Sequence, residues 1–145
     1  MRKLVLAISM LALAGSAAFA DPILDRQALM KERGKIVGGL SKVVKGEDPF
    51  DAAAVLTQLQ ALQANAEKLD VDALFPAGSD KGDTTASPKI WEDMGGFKAA
   101  EDKYLADVKA AAAAAPADVD TLKTSFGTIA SNCGTCHQSY RVKKG

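Results

Sequence analysis

The last part of the chain, residues 119–141, reads VDTLKTSFGTIASNCGTCHQSYR, and its residue pattern predicts a helix. Apolar and sulfur-containing side chains recur in it at intervals of three and four residues, which is the period of one face of an α-helix. The residues on this face are Val119, Leu122, Phe126, Ile129, Cys133, Cys136, His137 and Tyr140. We therefore predict a final amphipathic helix whose core-facing side ends in two cysteines and a histidine.

The segment Cys133-Gly134-Thr135-Cys136-His137 has the CxxCH spacing of a c-type haem attachment site. Each thiol can add across a haem vinyl group to form a thioether bond, and the adjacent imidazole can ligate the iron. On a helix, Cys133 lies beside both Cys136 and His137, so the three side chains can meet one face of a flat ring. His137 is the only histidine in 145 residues. The motif predicts one covalent haem c, with its iron held by His137.

Other interpretations of a CxxC pair are a redox dithiol, a disulfide and half of a zinc site. A thioredoxin-type dithiol usually lies near a βαβ pattern, whereas this pair lies late in a helical pattern. A zinc site would lack ligands, because no second Cys or His cluster accompanies the pair. A helical bundle that carries a disulfide in place of haem stays open as an alternative.

The first 20 residues have the three parts of a secretory signal peptide. Arg2 and Lys3 are basic, residues 4–15 are apolar, and Ala18-Phe19-Ala20 is a small-x-small cleavage site. The apolar stretch is shorter than the roughly 20 residues that a transmembrane helix needs. We predict that this segment is removed and that the mature chain begins at Asp21. The mature protein is then expected in the periplasm, without a membrane span.

Composition argues against several function classes. The chain has 18 basic and 18 acidic side chains, and loss of Arg2 and Lys3 with the signal leaves a mildly acidic protein. Such a balance gives no basic surface for nucleic acid. No acid–base pair or nucleophile constellation accompanies the single histidine, so an enzyme is not expected. Residues 21–145 have the length of one small domain.

Three further helices precede the haem motif. Residues 22–46 carry apolar side chains at helical spacing, and Asp48-Pro49 predicts the start of a second helix that runs to about residue 70. Residues 76–87 are rich in turn formers and predict the one long connection. Ser87-Pro88 then starts a third helix, which continues through an alanine run to just before Pro116. We predict an all-α, up-down-up-down four-helix bundle with haem c on its C-terminal helix.

These elements resemble the class II cytochromes c, which comprise cytochrome c′ and the low-spin cytochrome c-556. The resemblance rests on a C-terminal CxxCH followed by Tyr140 and Arg141 on a fourth helix, and it extends over residues 22–144. Segments similar to the c-556 branch are Arg26-Gln27-Ala28-Leu29-Met30-Lys31 with Gly34, Lys45-Gly46-Glu47 and Pro88-Lys89-Ile90-Trp91. The family implies a haem inside the bundle that either transfers single electrons or binds gases.

The resemblance makes Met30 the favoured sixth iron ligand, because Met30 matches the distal position of the family. Met30 and Met94 are the only methionines outside the predicted signal, and a methionine on an apolar stripe is often core filling. Ligation by His137 and Met30 suits a one-electron carrier that serves redox proteins of the periplasm or of an inner-membrane respiratory or photosynthetic chain. The alternative is a five-coordinate, high-spin cytochrome c′ that binds NO or CO.

Other side chains are assigned to the haem surroundings. Arg26 and Arg141 lie one turn from the predicted axial ligands, so they are expected either to pair with haem propionates or to lie solvated on the helix surface. Trp91 is expected to pack on the haem or to seal the bundle. Members of the family often pair through their first two helices, so a homodimer is possible. The glycines that would allow close helix contact are Gly34, Gly38 and Gly39.

Overall fold

Four long helices account for most of residues 21–143, the part of the chain that the computed structural model describes. They are α1 (Pro22–Lys45), α2 (Ala52–Glu67), α5 (Met94–Ala114) and α6 (Val119–Tyr140), and two single-turn helices, α3 (Val71–Leu74) and α4 (Lys89–Glu92), lie between α2 and α5. The long helices pack in the cyclic order α1, α2, α5, α6. This arrangement confirms the up-down-up-down bundle. The predicted signal peptide lies outside the described residues.

The first helix has the ends that its sequence predicts. The Asp21 side chain caps it by accepting a hydrogen bond from Ile23 N at 2.9 Å, and Pro22 occupies the first helical position, where no N–H is needed. Gly46 ends the helix in the left-handed region with φ of 75°, which glycine adopts without steric cost.

The second helix begins later than predicted. Asp48 N bonds back to Lys42 O at 3.3 Å, so Asp48 belongs to the turn that closes α1. Asp51 caps α2 instead, and its carboxylate accepts from Ala54 N at 2.7 Å. The assignment of Asp48-Pro49 as the helix start was therefore wrong, because Asp51, three residues later, occupies the capping position.

The third predicted helix is interrupted. It breaks at Asp93, whose backbone leaves the helical region with φ of −135° and ψ of 54°. The Asp93 side chain then caps α5 by accepting from Gly96 N at 3.1 Å, and it also accepts from Tyr140 Oη at 2.8 Å. The expectation of one continuous helix from Ser87-Pro88 was wrong, since this cap divides it into α4 and α5.

The core lies along the bundle axis and extends toward one end. Its central part is formed by fully buried side chains from all four long helices, among them Leu40, Leu59, Leu62, Val108, Leu122 and Ile129. A smaller cluster of Leu69, Phe75, Ile90 and Phe97 lies where α3 and α4 meet the start of α5. None of the helices between residues 21 and 143 combines the length and the apolarity needed to cross a membrane.

The long connection after α3 is tied by backbone bonds to the C-terminal end of α6. Backbone bonds join Ser87 N to Tyr140 O at 3.0 Å and Val142 N to Thr85 O at 2.9 Å. Ala86 and Arg141 form an antiparallel bridge between these bonds. The segment 85–87 is therefore held against the end of α6, although its sequence predicts only turns.

Candidate haem site

A cavity of about 510 Å³ opens at the end of the bundle where α1 begins and α6 ends. Its wall contains side chains of α1, α5 and α6 together with residues 84–86 of the long connection. Apolar groups such as Val37, Leu69, Ile90 and Phe97 line its depth. The volume lies within the range of small-molecule and cofactor pockets, about 300–1,000 Å³.

The predicted haem-binding residues of α6 lie together in this wall. Cys133, Cys136 and His137 all line the cavity, as their positions on one helix face require. The two cysteines are half-buried and form no disulfide in the described part of the chain. No group of three or more His, Cys, Asp and Glu side chains among residues 21–143 is placed to hold a metal ion without a cofactor. The positive observation is that the whole CxxCH motif contributes to one cavity wall.

The two methionines of the described chain have different surroundings. Met30 lines the cavity from α1, as does Gly34 one turn later. Both methionines pack against the small cluster around Phe97, but Met94 is absent from the cavity wall. Of these two methionines, only Met30 is placed to present its sulfur to a group bound in the cavity.

The protein surroundings favour the uncharged forms of the three α6 side chains. Burial raises the pKa of the Cys136 thiol to about 11, and the nearby Glu101 carboxylate acts in the same direction. Burial likewise raises the pKa of the Cys133 thiol. Loss of water lowers the pKa of the His137 imidazole, and the Arg141 guanidinium lowers it further. Protonated thiols resist oxidation, and a neutral imidazole is the form that ligates iron.

Arg26 lines the cavity but uses its donors on α3 and the long connection. Nη1 donates to Leu74 O at 3.0 Å and to Ser79 Oγ at 2.8 Å, and Nη2 donates to Ser79 O at 2.8 Å and Thr84 Oγ1 at 3.1 Å. The guanidinium also lies 4.7 Å from the Phe75 ring centroid. Arg26 is buried and does not lie on a solvated surface. A propionate partner at Arg26 stays a prediction, and the bonds seen here position the cavity wall.

Arg141 and Trp91 differ in how close they come to the cavity. Arg141 is exposed at the cavity wall, just beyond the end of α6, where its guanidinium is available to an anionic group. Trp91 is not part of the wall, and its Nε1 donates to Phe75 O and Pro76 O, each at 3.1 Å. Of the two roles predicted for Trp91, this contact matches the sealing of the bundle.

An ion pair in the cavity wall joins Arg33 and Glu101, neither of which is assigned a role from the sequence. Arg33 Nη1 lies 3.3 Å from Glu101 Oε2, and both side chains are largely buried. Charged helix residues are usually exposed, so composition does not predict that these two side chains are buried. The available signal was spacing, because Arg33 lies one turn after Met30 and Glu101 one turn after Phe97, both of which line the cavity.

The cavity fits a haem. It joins a CxxCH wall, a facing methionine and an apolar interior, and its remaining charges are mainly positive. Arg26, Lys31, Arg33 and Arg141 oppose the single carboxylate of Glu101 in the lining. Such an excess of cations complements the two propionates that a haem carries.

A four-helix bundle with this site defines a class II c-type cytochrome. The family model described as Cytochrome C′ matches residues 21–141. The chain therefore belongs to the cytochrome c′ family, and its cofactor is covalently bound haem c with iron.

Individual relatives carry both names of the class. A cytochrome c-556 of Agrobacterium fabrum is 40% identical over 131 residues, which cover 90% of this chain and 88% of the relative. A cytochrome c′ of Rhodopseudomonas palustris is 40% identical over 133 residues, with coverage of 89% and 87%. Among solved structures, a nitric oxide complex of a variant cytochrome c prime from Alcaligenes xylosoxidans aligns with a TM-score of 0.76 at 33% identity, covering 86% and 95%.

Proposed function

We propose that this chain is a periplasmic one-electron carrier whose haem is attached through Cys133 and Cys136 and ligated by His137 and Met30. The observation that carries the proposal is that Met30 of α1 and His137 of α6 line the same cavity as both cysteines. When bound, the haem iron supplies a centre that takes up and releases one electron. A thioether sulfur as the second axial ligand favours ferrous iron and suits electron transfer.

The chain's own residues support this role by fixing the ligands. Two thioethers would bind the cofactor to one helix, and His137 would hold the iron from the same helix. Met30 lies on α1, which packs directly on α6, so its sulfur is supplied by a rigid neighbour. Phe97 and Ile90 line the cavity beside it and reduce access of water. Ligands that move little between oxidation states keep the reorganisation energy small.

A five-coordinate gas-binding protein is the second candidate. It is favoured by the likeness to the nitric oxide complex from Alcaligenes xylosoxidans, in which the similar fold accepts a small ligand. In this case Met30 would pack over the iron without ligating it, and the space beside it would admit NO or CO. The position of the Met30 sulfur therefore separates the two candidates.

Absorption spectroscopy of the ferric protein tests the proposal. We expect a methionine-to-iron charge-transfer band that is lost in Met30→Ala and retained in Met94→Ala, a matched control because Met94 does not line the cavity. The ferrous wild-type protein should bind CO slowly, and Met30→Ala should bind it rapidly. A wild-type protein without the band that binds CO at once would support the gas-binding candidate instead.

Processing and location form a second part of the proposal. We propose that cleavage after Ala20 produces a mature protein in the periplasm that begins at Asp21. The expected mass of the periplasmic protein is that of residues 21–145 plus one haem. A haem-containing protein that retains residues 1–20 would contradict the predicted processing. Its redox partners would be proteins of the periplasm or of the inner membrane, and a homodimer through α1 and α2 stays a prediction.

Two of the three glycines considered for that homodimer leave open space. Gly34 and Gly38 have no neighbouring atoms within 4 Å of the position that a Cβ would occupy. At Gly39 a Cβ would lie 2.6 Å from Gln58 Oε1, so this glycine already serves contact with α2 of the same chain. A partner helix is therefore proposed to use the surface around Gly38, and sedimentation of the haem protein would test it.

A further inference from the structure

Arg33 is a buried cation one turn beyond Met30 on α1. Only 7% of the residue is exposed, and its Nε donates to Asn65 Oδ1 at 3.1 Å. Its Nη1 pairs with Glu101 at 3.3 Å, and the guanidinium lies 4.2 Å from the Tyr104 ring centroid. Three elements of the bundle, α1, α2 and α5, thus hold one positive charge in place.

One nitrogen of this guanidinium remains unused. Arg33 Nη2 is buried and has no hydrogen-bond partner among the residues that the structure describes. A buried donor without an acceptor is unfavourable, and such groups are rare in folded proteins. Because Arg33 lines the haem cavity, its charge acts on whatever occupies that cavity.

Glu101 brings the opposite charge to the edge where the haem is attached. Its Oε1 lies 4.0 Å from Cys136 Sγ, and its Oε2 is the atom paired with Arg33. The ion pair therefore lies between the helix of the predicted sixth ligand and the helix of the predicted thioethers.

The pair is rigid because its neighbours are themselves bonded. Asn65 is fully buried, and its Nδ2 donates to Leu29 O at 3.1 Å and to Glu32 Oε2 at 2.8 Å. The amide oxygen is left to accept from Arg33. Buried charges that cannot reorient are screened less by water and salt than exposed charges are.

We propose that Arg33 and Glu101 set the reduction potential of the haem by opposing charges at its thioether edge. The proposal rests on the proposed attachment of haem at Cys133 and Cys136. Ferric haem carries one positive charge more than ferrous haem, so a fixed cation beside it favours reduction. A fixed carboxylate favours the ferric form. Arg33 therefore raises the potential, and Glu101 limits that rise.

Potentiometric titration of the purified haem protein tests this proposal. We expect Arg33→Gln to lower the midpoint potential and Glu101→Gln to raise it. The double variant should lie between the two single variants. Loss of packing alone would not give shifts of opposite sign.

A second ion pair between α5 and α2 supplies the matched control. Lys109 Nζ lies 3.0 Å from Glu67 Oε1, and both side chains are about half exposed. Neither residue lines the cavity, so Lys109→Gln and Glu67→Gln make similar charge changes outside its wall and should leave the potential unchanged. If Arg33→Gln fails to accumulate, Arg33→Lys keeps the charge and should keep the potential while it lowers the melting temperature.

Two results would overturn the proposal. Shifts of the same sign in Arg33→Gln and Glu101→Gln, or no shift in either, would show that the pair is structural. The methionine charge-transfer band is recorded on the same samples. Its absence from the wild-type protein would remove the His/Met carrier while leaving the test of opposing charges valid, so the two failures are distinguishable.

Discussion

Replacing Arg26 with methionine should loosen the connection that closes the haem cavity. Methionine keeps much of the buried stem but removes four hydrogen bonds to Leu74 O, Ser79 Oγ, Ser79 O and Thr84 Oγ1. Bonds from a charged donor contribute about 1.5–3 kcal/mol each, but the freed acceptors can partly rebind water and the desolvation of the guanidinium is recovered. We therefore expect a net loss of about 3 kcal/mol in the free energy of unfolding.

Thermal unfolding followed by far-ultraviolet circular dichroism measures this loss. For a domain of this size, about 3 kcal/mol corresponds to a decrease of roughly 10 °C in melting temperature. Arg26→Lys keeps the charge but not the planar guanidinium, and its free energy of unfolding should decrease by about half as much as that of Arg26→Met. Hydrogen exchange should accelerate at the amides of residues 79–86 before it does in α2. A melting temperature for Arg26→Met within 2 °C of the wild type would refute the reasoning.

Two neighbouring glycines give a second prediction. Gly96→Ala should destabilise the protein, because the new Cβ would lie 2.6 Å from Tyr140 Oη and disturb the bond from Tyr140 to Asp93. Gly95→Ala meets open space and should stabilise α5 by up to about 1 kcal/mol. Chemical denaturation of both variants distinguishes them, and equal effects would contradict this account. The third prediction concerns stability in acid. A bond from Thr121 N at 2.8 Å lowers the pKa of Asp118 in the folded protein. The ionised Asp118 therefore stabilises the fold fully above its unfolded-state pKa near 4, and this contribution is lost as pH falls through the folded-state pKa. Asp118→Asn keeps a capping side chain that does not ionise, so the free energy of unfolding of this variant should fall less steeply below about pH 4. An unchanged slope would count against the role given to Asp118.

The bundle was predictable because its helices repeat their apolar residues regularly. Leu122 and Ile129 of the final stripe are fully buried, as their spacing requires. Helix boundaries were less predictable, since several aspartates compete as caps and local sequence does not rank them. At the break, Asp93 also accepts a bond from Tyr140, which lies 47 residues away in sequence. Interactions of that range leave no periodic signal.

The candidate site divides in the same way. The convergence of Cys133, Cys136, His137 and Met30 on one cavity agrees with the expectation from the motif and the family resemblance. The pair of Arg33 and Glu101 was not foreseen, because a charged residue on a helix normally faces water. Its burial follows from the way α1 and α5 approach each other, which is a property of tertiary packing and not of either helix alone.

The bridge between the long connection and the end of α6 holds the cavity rim independently of the side chains that line it. Its bonds join Ser87 N to Tyr140 O and Val142 N to Thr85 O, so they use only backbone atoms. Any residue can accept such a bond, and any residue except proline can donate one. The side chains of Thr85, Ala86 and Arg141, which line the cavity, can therefore be exchanged without removing the bonds that hold the rim. The charge at the rim can therefore change by substitution while the backbone bonds that shape the rim are kept.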